Sequence, residues 1–269
     1  MPIRHSATLA VNERLQARRA AGEPVLHLAF GEAGLPVLPS LAAVLADSVR
    51  HNDYGPVAGI PAARAAAAGY FERRGLPTDP DQIVLAPGSK ALLFALLAVL
   101  PGDVVLPVPS WVSYAAQAAL VGKHVIGVPI PARAGGIPDP ERLESALADA
   151  RAGILILTVP DNPTGTLPTR DLLAEVCRIA ERHGIVVVSD EIYRDLCRTP
   201  SDFHSPAEFL PDRTVITSGL SKSLALGGYR IGFTRVPTEL RTAHTDLIGV
   251  ASEVWSSLAG PMQRVAAAA

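Results

Sequence analysis

Short, unbroken apolar runs recur along this chain about one helix length apart. They limit its fold more than any other feature. "VVLPV" (104–108), "ILILTV" (154–159), "IVVVSD" (185–190) and "RTVITSG" (213–219) are rich in β-branched residues. None shows the apolar–polar alternation of a strand with one wet face, so each reads as a strand covered on both faces. Helix-like segments lie between them, such as "ALLFALLAVL" (91–100), "DPERLESALADA" (139–150) and "TRDLLAEVCRIAERHG" (169–184). This alternation predicts an α/β architecture: a mostly parallel, doubly wound sheet flanked by helices.

Other segments extend the pattern. "PVLHLAF" (24–30), "QIVLAPG" (82–88), "KHVIGVPI" (123–130) and "YRIGFTRV" (229–236) read as strands. Helices are expected over "SLAAVLADSVRH" (40–51), the alanine-rich "PAARAAAAGYFERRG" (61–75), from Ser89 to near Leu100, and from near Trp111. Asp139-Pro140 supplies an N-cap with proline at the first helical position, and Gly184 a stop.

Composition excludes several functions. The chain is 48% apolar and 19% charged with net charge −2, which favours neither nucleic acid nor an anionic membrane as partner. Its longest apolar run, 91–100, is too short to span a bilayer. The N-terminal stretch has no apolar signal core, so a cytoplasmic protein is expected. Cys177 and Cys197 have no metal-ligand spacing and read as reduced, small apolar residues. No metal site is expected.

In doubly wound sheets, ligands sit beyond the carboxyl ends of strands, so the residues there carry the functional argument. After "IVLA" come Gly88, Ser89 and Lys90, opening a helix whose N-terminus suits a phosphate; alone, such a step is more often only a cap. After "DVVLPV" comes Trp111, whose indole can stack on a flat ring or simply fill a core. After "ILILTV" the rigid loop "PDNPTGT" holds Asn162. After "IVVVS" come Asp190 and Tyr193, three apart; a carboxylate so placed is expected to be buried and to need a cationic partner or donors. After "VIT" come Ser218, Ser221 and Lys222, with Arg230 beyond. The chain has only three lysines, Lys90, Lys123 and Lys222, against 21 arginines. A lysine among serines therefore asks for a reason that only an amine supplies. One cofactor uses the whole set: pyridoxal 5′-phosphate, whose aldehyde forms a Schiff base with an amine and whose pyridinium nitrogen pairs with a carboxylate.

The segments "YGPVAGIPAAR" (54–64), "GSKALLFAL" (88–96), "PSWVSY" (109–114), "DNPTG" (161–165), "SDEIY" (189–193) and "SKSLALGGYRIGF" (221–233) resemble, in order and spacing, the fold-type I aminotransferases of class I/II, in their bacterial aspartate-type branch. The resemblance runs from about Leu26 to the end of the chain. It implies a pyridoxal-phosphate-dependent transaminase (EC 2.6.1 type) moving an amino group between an L-amino acid and a 2-oxo acid. Lys222 is implied as the Schiff-base lysine, Asp190 as the partner of the ring nitrogen, Tyr193 and Asn162 as donors to the phenolate oxygen, and Trp111 as the stacking ring. Gly88, Ser89, Lys90, Ser218, Ser221 and Arg230 are implied at the phosphate, and Tyr54 at the phosphate of a neighbouring subunit in a homodimer. Gly31 and Asn162 are implied near the substrate.

The resemblance also implies domains: residues 1–50 as an N-terminal arm and small-domain segment, 51–245 as the cofactor-binding large domain, and 246–269 as the start of a second domain cut short. The family's C-terminal arginine, which clamps the substrate carboxylate, has no counterpart before "PMQRVAAAA". Where the family often reads "GEPDF", this chain has "GEAGL", with Ala33, Gly34 and Leu35 at the changed places, and Gly219 stands where many members have a phosphate-binding serine. Three other readings stay open at this level. The same scaffold supports β-lyase or amino-acid cyclase chemistry, a truncated homologue can lack catalysis, and aminotransferase-like ligand-sensing domains occur in transcription regulators, though no DNA-binding module precedes "LHLAF".

Overall fold

The computed structural model describes residues 7–26, 31–131, 134–148 and 151–269. The strand expected over 24–30 lies partly outside them; its described residues, 24–26, belong to no regular element. In chain order the elements are α1 (Ala7–Ala20), α2 (Pro39–Ser48), α3 (Pro61–Glu72), β1 (Ile83–Pro87), α4 (Ser89–Val99), β2 (Asp103–Val108), α5 (Val112–Leu120), β3 (Val125–Pro129) and α6 (Pro140–Ala148). They continue with β4 (Ala152–Thr158), α7 (Arg170–Arg182), β5 (Val186–Asp190), β6 (Thr214–Gly219), α8 (Leu220–Ser223), β7 (Ile231–Arg235), α9 (Arg241–Val254) and α10 (Gly260–Ala268).

The strands form one seven-stranded sheet in the order β1-β7-β6-β5-β4-β2-β3. β7 runs antiparallel to both its neighbours, while the β6-β5, β5-β4, β4-β2 and β2-β3 pairs are parallel. The unbroken apolar runs follow from the layering. Along β4, Ile154 and Ile156 face one core while Leu155 and Leu157 face another. The first core covers one side of the sheet with Leu92, Leu93 and Leu96 of α4, Tyr114 and Ala118 of α5, and Leu247 of α9. The opposite side is shared: Leu143, Leu173 and Val176 of α6 and α7 cover one half, and Ala63, Ala67 and Phe71 of α3 with Val265 of α10 cover the other. Each fully buried Leu, Ile or Val stabilises this arrangement by about 1.5–3 kcal/mol relative to exposure.

Local chemistry sets the helix ends. Asp139 Oδ1 accepts from Arg142 N–H at 3.0 Å and opens α6; Gly184, at φ +67, follows α7. Lys123 Nζ donates to Leu100 O and Gly102 O, both at 2.7 Å, beyond the C-terminal end of α4. That structural task accounts for one of the three lysines. The expected domain boundary at 245/246 falls inside α9.

The direction of β7 matters for the site. Because it runs backwards, its first residue meets the edge where the parallel strands end. Register pairs Thr158 with Asp190, Asp190 with Thr217, Gly219 with Gly232, and Pro87 with Ile231. One edge of the sheet therefore gathers Gly88, Thr158, Asp190, Lys222 and Arg230. No helix among the described residues is long and apolar enough to cross a membrane, and these residues hold no cluster of potential metal ligands.

Candidate active site

The floor of this edge is Asp190, the last residue of β5 and 3% exposed. Its Oδ2 accepts a hydrogen bond from Tyr114 Oη at 2.8 Å. Its Oδ1 is buried and has no hydrogen-bond partner among the described residues, although Thr217 stands opposite it on β6. Burial pushes the carboxyl up to about 6, against the lowering effects of the Tyr114 donor and the Ile192 N–H. A buried carboxylate with one open acceptor is expensive unless a donor arrives.

Tyr193 and Asn162 meet on the rim: Asn162 Nδ2 donates to Tyr193 Oη at 3.3 Å. Burial first, and then the charge of Asp190, raises the Tyr193 phenol, so it stays protonated and able to donate. Trp111 precedes α5, its ring edge-on to Tyr114 at 5.2 Å between centroids.

Lys222 sits in the single turn of α8, directly after β6. Its Nζ donates to the Gly31 carbonyl oxygen and lies 5.8 Å from the centre of the Tyr193 ring. Burial lowers the proton affinity of this amine; Glu32 opposes that effect and Arg230 adds to it. The structure thus brings Gly31 to Lys222 across 191 residues of chain.

The other wall is cationic. Gly88, at φ +86, precedes α4, and a Cβ there would stand 2.2 Å from Arg230 Nη2. Only glycine leaves room for the guanidinium at the helix N-terminus. Arg230 itself adopts φ +54, and its Nη1 donates to Gly227 O at 2.9 Å and to Ser221 Oγ at 3.5 Å. Lys90 Nζ lies 4.8 Å from the Trp111 ring centre, and its proton affinity is lowered by burial and by Arg230. Gly232 lets β7 approach: a Cβ there would stand 2.3 Å from Ser89 N.

Ser218 and Tyr54 lie away from this group of side chains. Ser218 is buried in β6, its Oγ donating to Glu191 O at 3.4 Å. Tyr54 projects from the loop between α2 and α3 and is 92% exposed. Sequence reasoning passed over Tyr114, Thr158 and Glu32. Tyr114 was within reach, because it lies three residues after Trp111 and so shares its helix face. Nothing in the sequence singles out Thr158.

This arrangement fits pyridoxal 5′-phosphate, the cofactor that fold-type I aspartate-aminotransferase-like enzymes use. The open Asp190 Oδ1 suits a protonated ring nitrogen. The helix N-terminus with Arg230 and Lys90 suits a phosphate dianion, and Lys222 supplies an amine on the same sheet edge.

Comparison with known proteins agrees. An aspartate aminotransferase of Geobacillus stearothermophilus is 35% identical over 257 residues, covering 90% of this chain and 64% of that protein. An aspartate/prephenate aminotransferase of Thermus thermophilus is also 35% identical, covering 88% of this chain and 63% of its own length. The chain thus spans a little under two thirds of the length of these curated relatives. In structure, the aspartate aminotransferase of Thermus thermophilus with maleate superposes with a TM-score of 0.92 at 32% identity, covering 98% of this chain and 70% of that one. The family model for aminotransferase class I and II matches residues 23–269. On sequence and fold together, the chain belongs to the aminotransferase class I and II family.

Proposed function

We propose that this chain carries the cofactor-binding and proton-transfer machinery of a transaminase exchanging an amino group between an L-amino acid and a 2-oxo acid. The observation that carries the reading is the pairing, on one sheet edge, of an amine of lowered proton affinity at Lys222 with a buried, half-satisfied carboxylate at Asp190. The names of the relatives support aspartate as a donor.

Pyridoxal 5′-phosphate, when bound, supplies an aldehyde for amines to condense with and a ring that withdraws electrons from the substrate α-carbon. Lys222 Nζ would tether the cofactor and, when free, would take the proton from the substrate α-carbon and deliver it to the carbon that carried the aldehyde. Such positioned general acid–base work contributes about 10²–10⁴-fold. A lowered proton affinity keeps more of this amine in the neutral form that can act as a base. Asp190, through its open Oδ1, would accept from a protonated ring nitrogen and hold that proton in place. Tyr193 and Asn162 would donate to the cofactor's phenolate oxygen, Trp111 would pack against its ring, and Gly88, Ser89, Lys90, Ser221 and Arg230 would hold its phosphate. The exposed Tyr54 suits a contact with the phosphate held by a second copy, so the working assembly is a homodimer.

The test uses purified protein loaded with the cofactor and supplied with L-aspartate. Stoichiometric 2-oxo acid without an acceptor, and turnover only when a second 2-oxo acid is added, supports transamination. Continuous ammonia release without an acceptor identifies a lyase and overturns the reading.

A further inference from the structure

Asp190 is not held by charge. Tyr114 Oη donates to its Oδ2 at 2.8 Å, and Tyr114 Oη in turn lies 2.7 Å from Thr158 Oγ1. Tyr114 is 1% exposed and Thr158 4%, so water does not substitute for either. The chemistry of the groups fixes the direction of this chain. An ionised carboxylate only accepts, so Tyr114 must give its single proton to Asp190. Its oxygen is then left as an acceptor, and Thr158 must donate to it. If Asp190 takes up a proton, the same three oxygens can reverse, with Asp190 donating to Tyr114 and Tyr114 to Thr158.

We propose that Thr158 and Tyr114 form a directional hydrogen-bond relay that keeps Asp190 ionised, with Oδ2 occupied and Oδ1 reserved for an incoming donor. Both are positioning residues; neither touches the reacting atoms. The inference deepens the transaminase reading and rests on it for the identity of that donor. Three elements carry the relay: α5 brings Tyr114, β4 brings Thr158 and β5 brings Asp190, with the Thr158–Asp190 register fixing the spacing. Trp111 caps the start of α5, and the second turn of the helix presents Gln117, whose Nε2 donates to Lys90 O at 2.9 Å. One helix therefore ties together the stacking ring, the carboxylate and the phosphate wall.

Other groups face Asp190 and act on it. Glu191, its neighbour on the chain, opposes ionisation, while the Ile192 N–H and the Thr217 hydroxyl on β6 favour it. Tyr193 is coupled to it through charge. Tyr114 Oη is the donor seated on Oδ2, so its contribution is the one that substitution removes most directly.

The experiment follows the Asp190 carboxyl by carbon-13 NMR in the cofactor-free chain, assigned with Asp190→Asn. In Tyr114→Phe the titration midpoint should rise by about 1–2 units, the loss of a hydrogen bond to a charged group. In Thr158→Val it should rise less, and Thr158→Ser, which keeps the hydroxyl, should match the wild type. Equal midpoints in wild type, Tyr114→Phe and Thr158→Val overturn the relay. So do equal shifts in Thr158→Val and Thr158→Ser, which mark a packing effect. If Tyr114→Phe does not fold, the Val/Ser pair decides alone. Cofactor binding, read separately by absorbance, tests the transaminase reading without affecting this titration.

Discussion

The guanidinium of Arg230 occupies the space where a side chain on Gly88 would begin: a Cβ there would stand 2.2 Å from Nη2 and 2.9 Å from Cζ. Gly88 also sits at φ +86, a region that residues with a Cβ enter at a cost. Gly88→Ala is therefore expected to lower stability by about 1–2 kcal/mol and to displace Arg230 from the N-terminus of α4. Fluorescence titration with pyridoxal 5′-phosphate should show clearly weaker binding. Binding unchanged from wild type would remove Gly88 from the phosphate site.

Arg230 separates recognition of the phosphate from recognition of the ring. Arg230→Ala removes charge-assisted hydrogen bonds, so affinity for pyridoxal 5′-phosphate should fall by about tenfold or more. Affinity for pyridoxal, which lacks the phosphate, should stay close to wild type. Equal losses for the two compounds would show that Arg230 supports the fold and not the phosphate.

Much of the fold is legible in the sequence because layering and sequence pattern have one cause. "ILILTV" lacks alternation because its alternate residues face different cores, and that requires helices on both sides. The orientation of β7 is less legible: "YRIGFTRV" reads as one more strand of the sheet, and only tertiary pairing reverses its direction. α1 and α9 are also harder to read. α1 is largely polar on all sides, and the buried stripe of α9, Leu247 and Ala251, is short. At the candidate site, Asp190 is legible because a carboxylate closing a buried strand demands an explanation. Tyr114 and Thr158 are not, because a tyrosine on a helix and a threonine in a strand have ordinary packing roles until a third group brings their oxygens together.

The burial of Asp190 has a consequence for stability. Its carboxyl is raised from 3.8 to about 6 in the fold, so between those values the native state binds more protons than the unfolded chain. Stability must then fall as pH rises from about 4 to about 6, by up to about 3 kcal/mol from this group. Asp190→Asn removes that cost. The cofactor-free variant should be more stable than wild type above pH 6 and equal to it below pH 4 in urea denaturation, while retaining the cofactor poorly. A variant less stable than wild type at pH 7 would show that the charge is already compensated.

The central claim is that the reactive amine is Lys222, since Lys123 is committed to the carbonyls of Leu100 and Gly102 and Lys90 lies over Trp111. The most direct measurement is borohydride reduction of the protein loaded with pyridoxal 5′-phosphate, followed by peptide mapping of the stable adduct. The account predicts a single pyridoxyl group on the peptide containing Lys222. A group on Lys90 or Lys123, or no adduct at saturating cofactor, would contradict it.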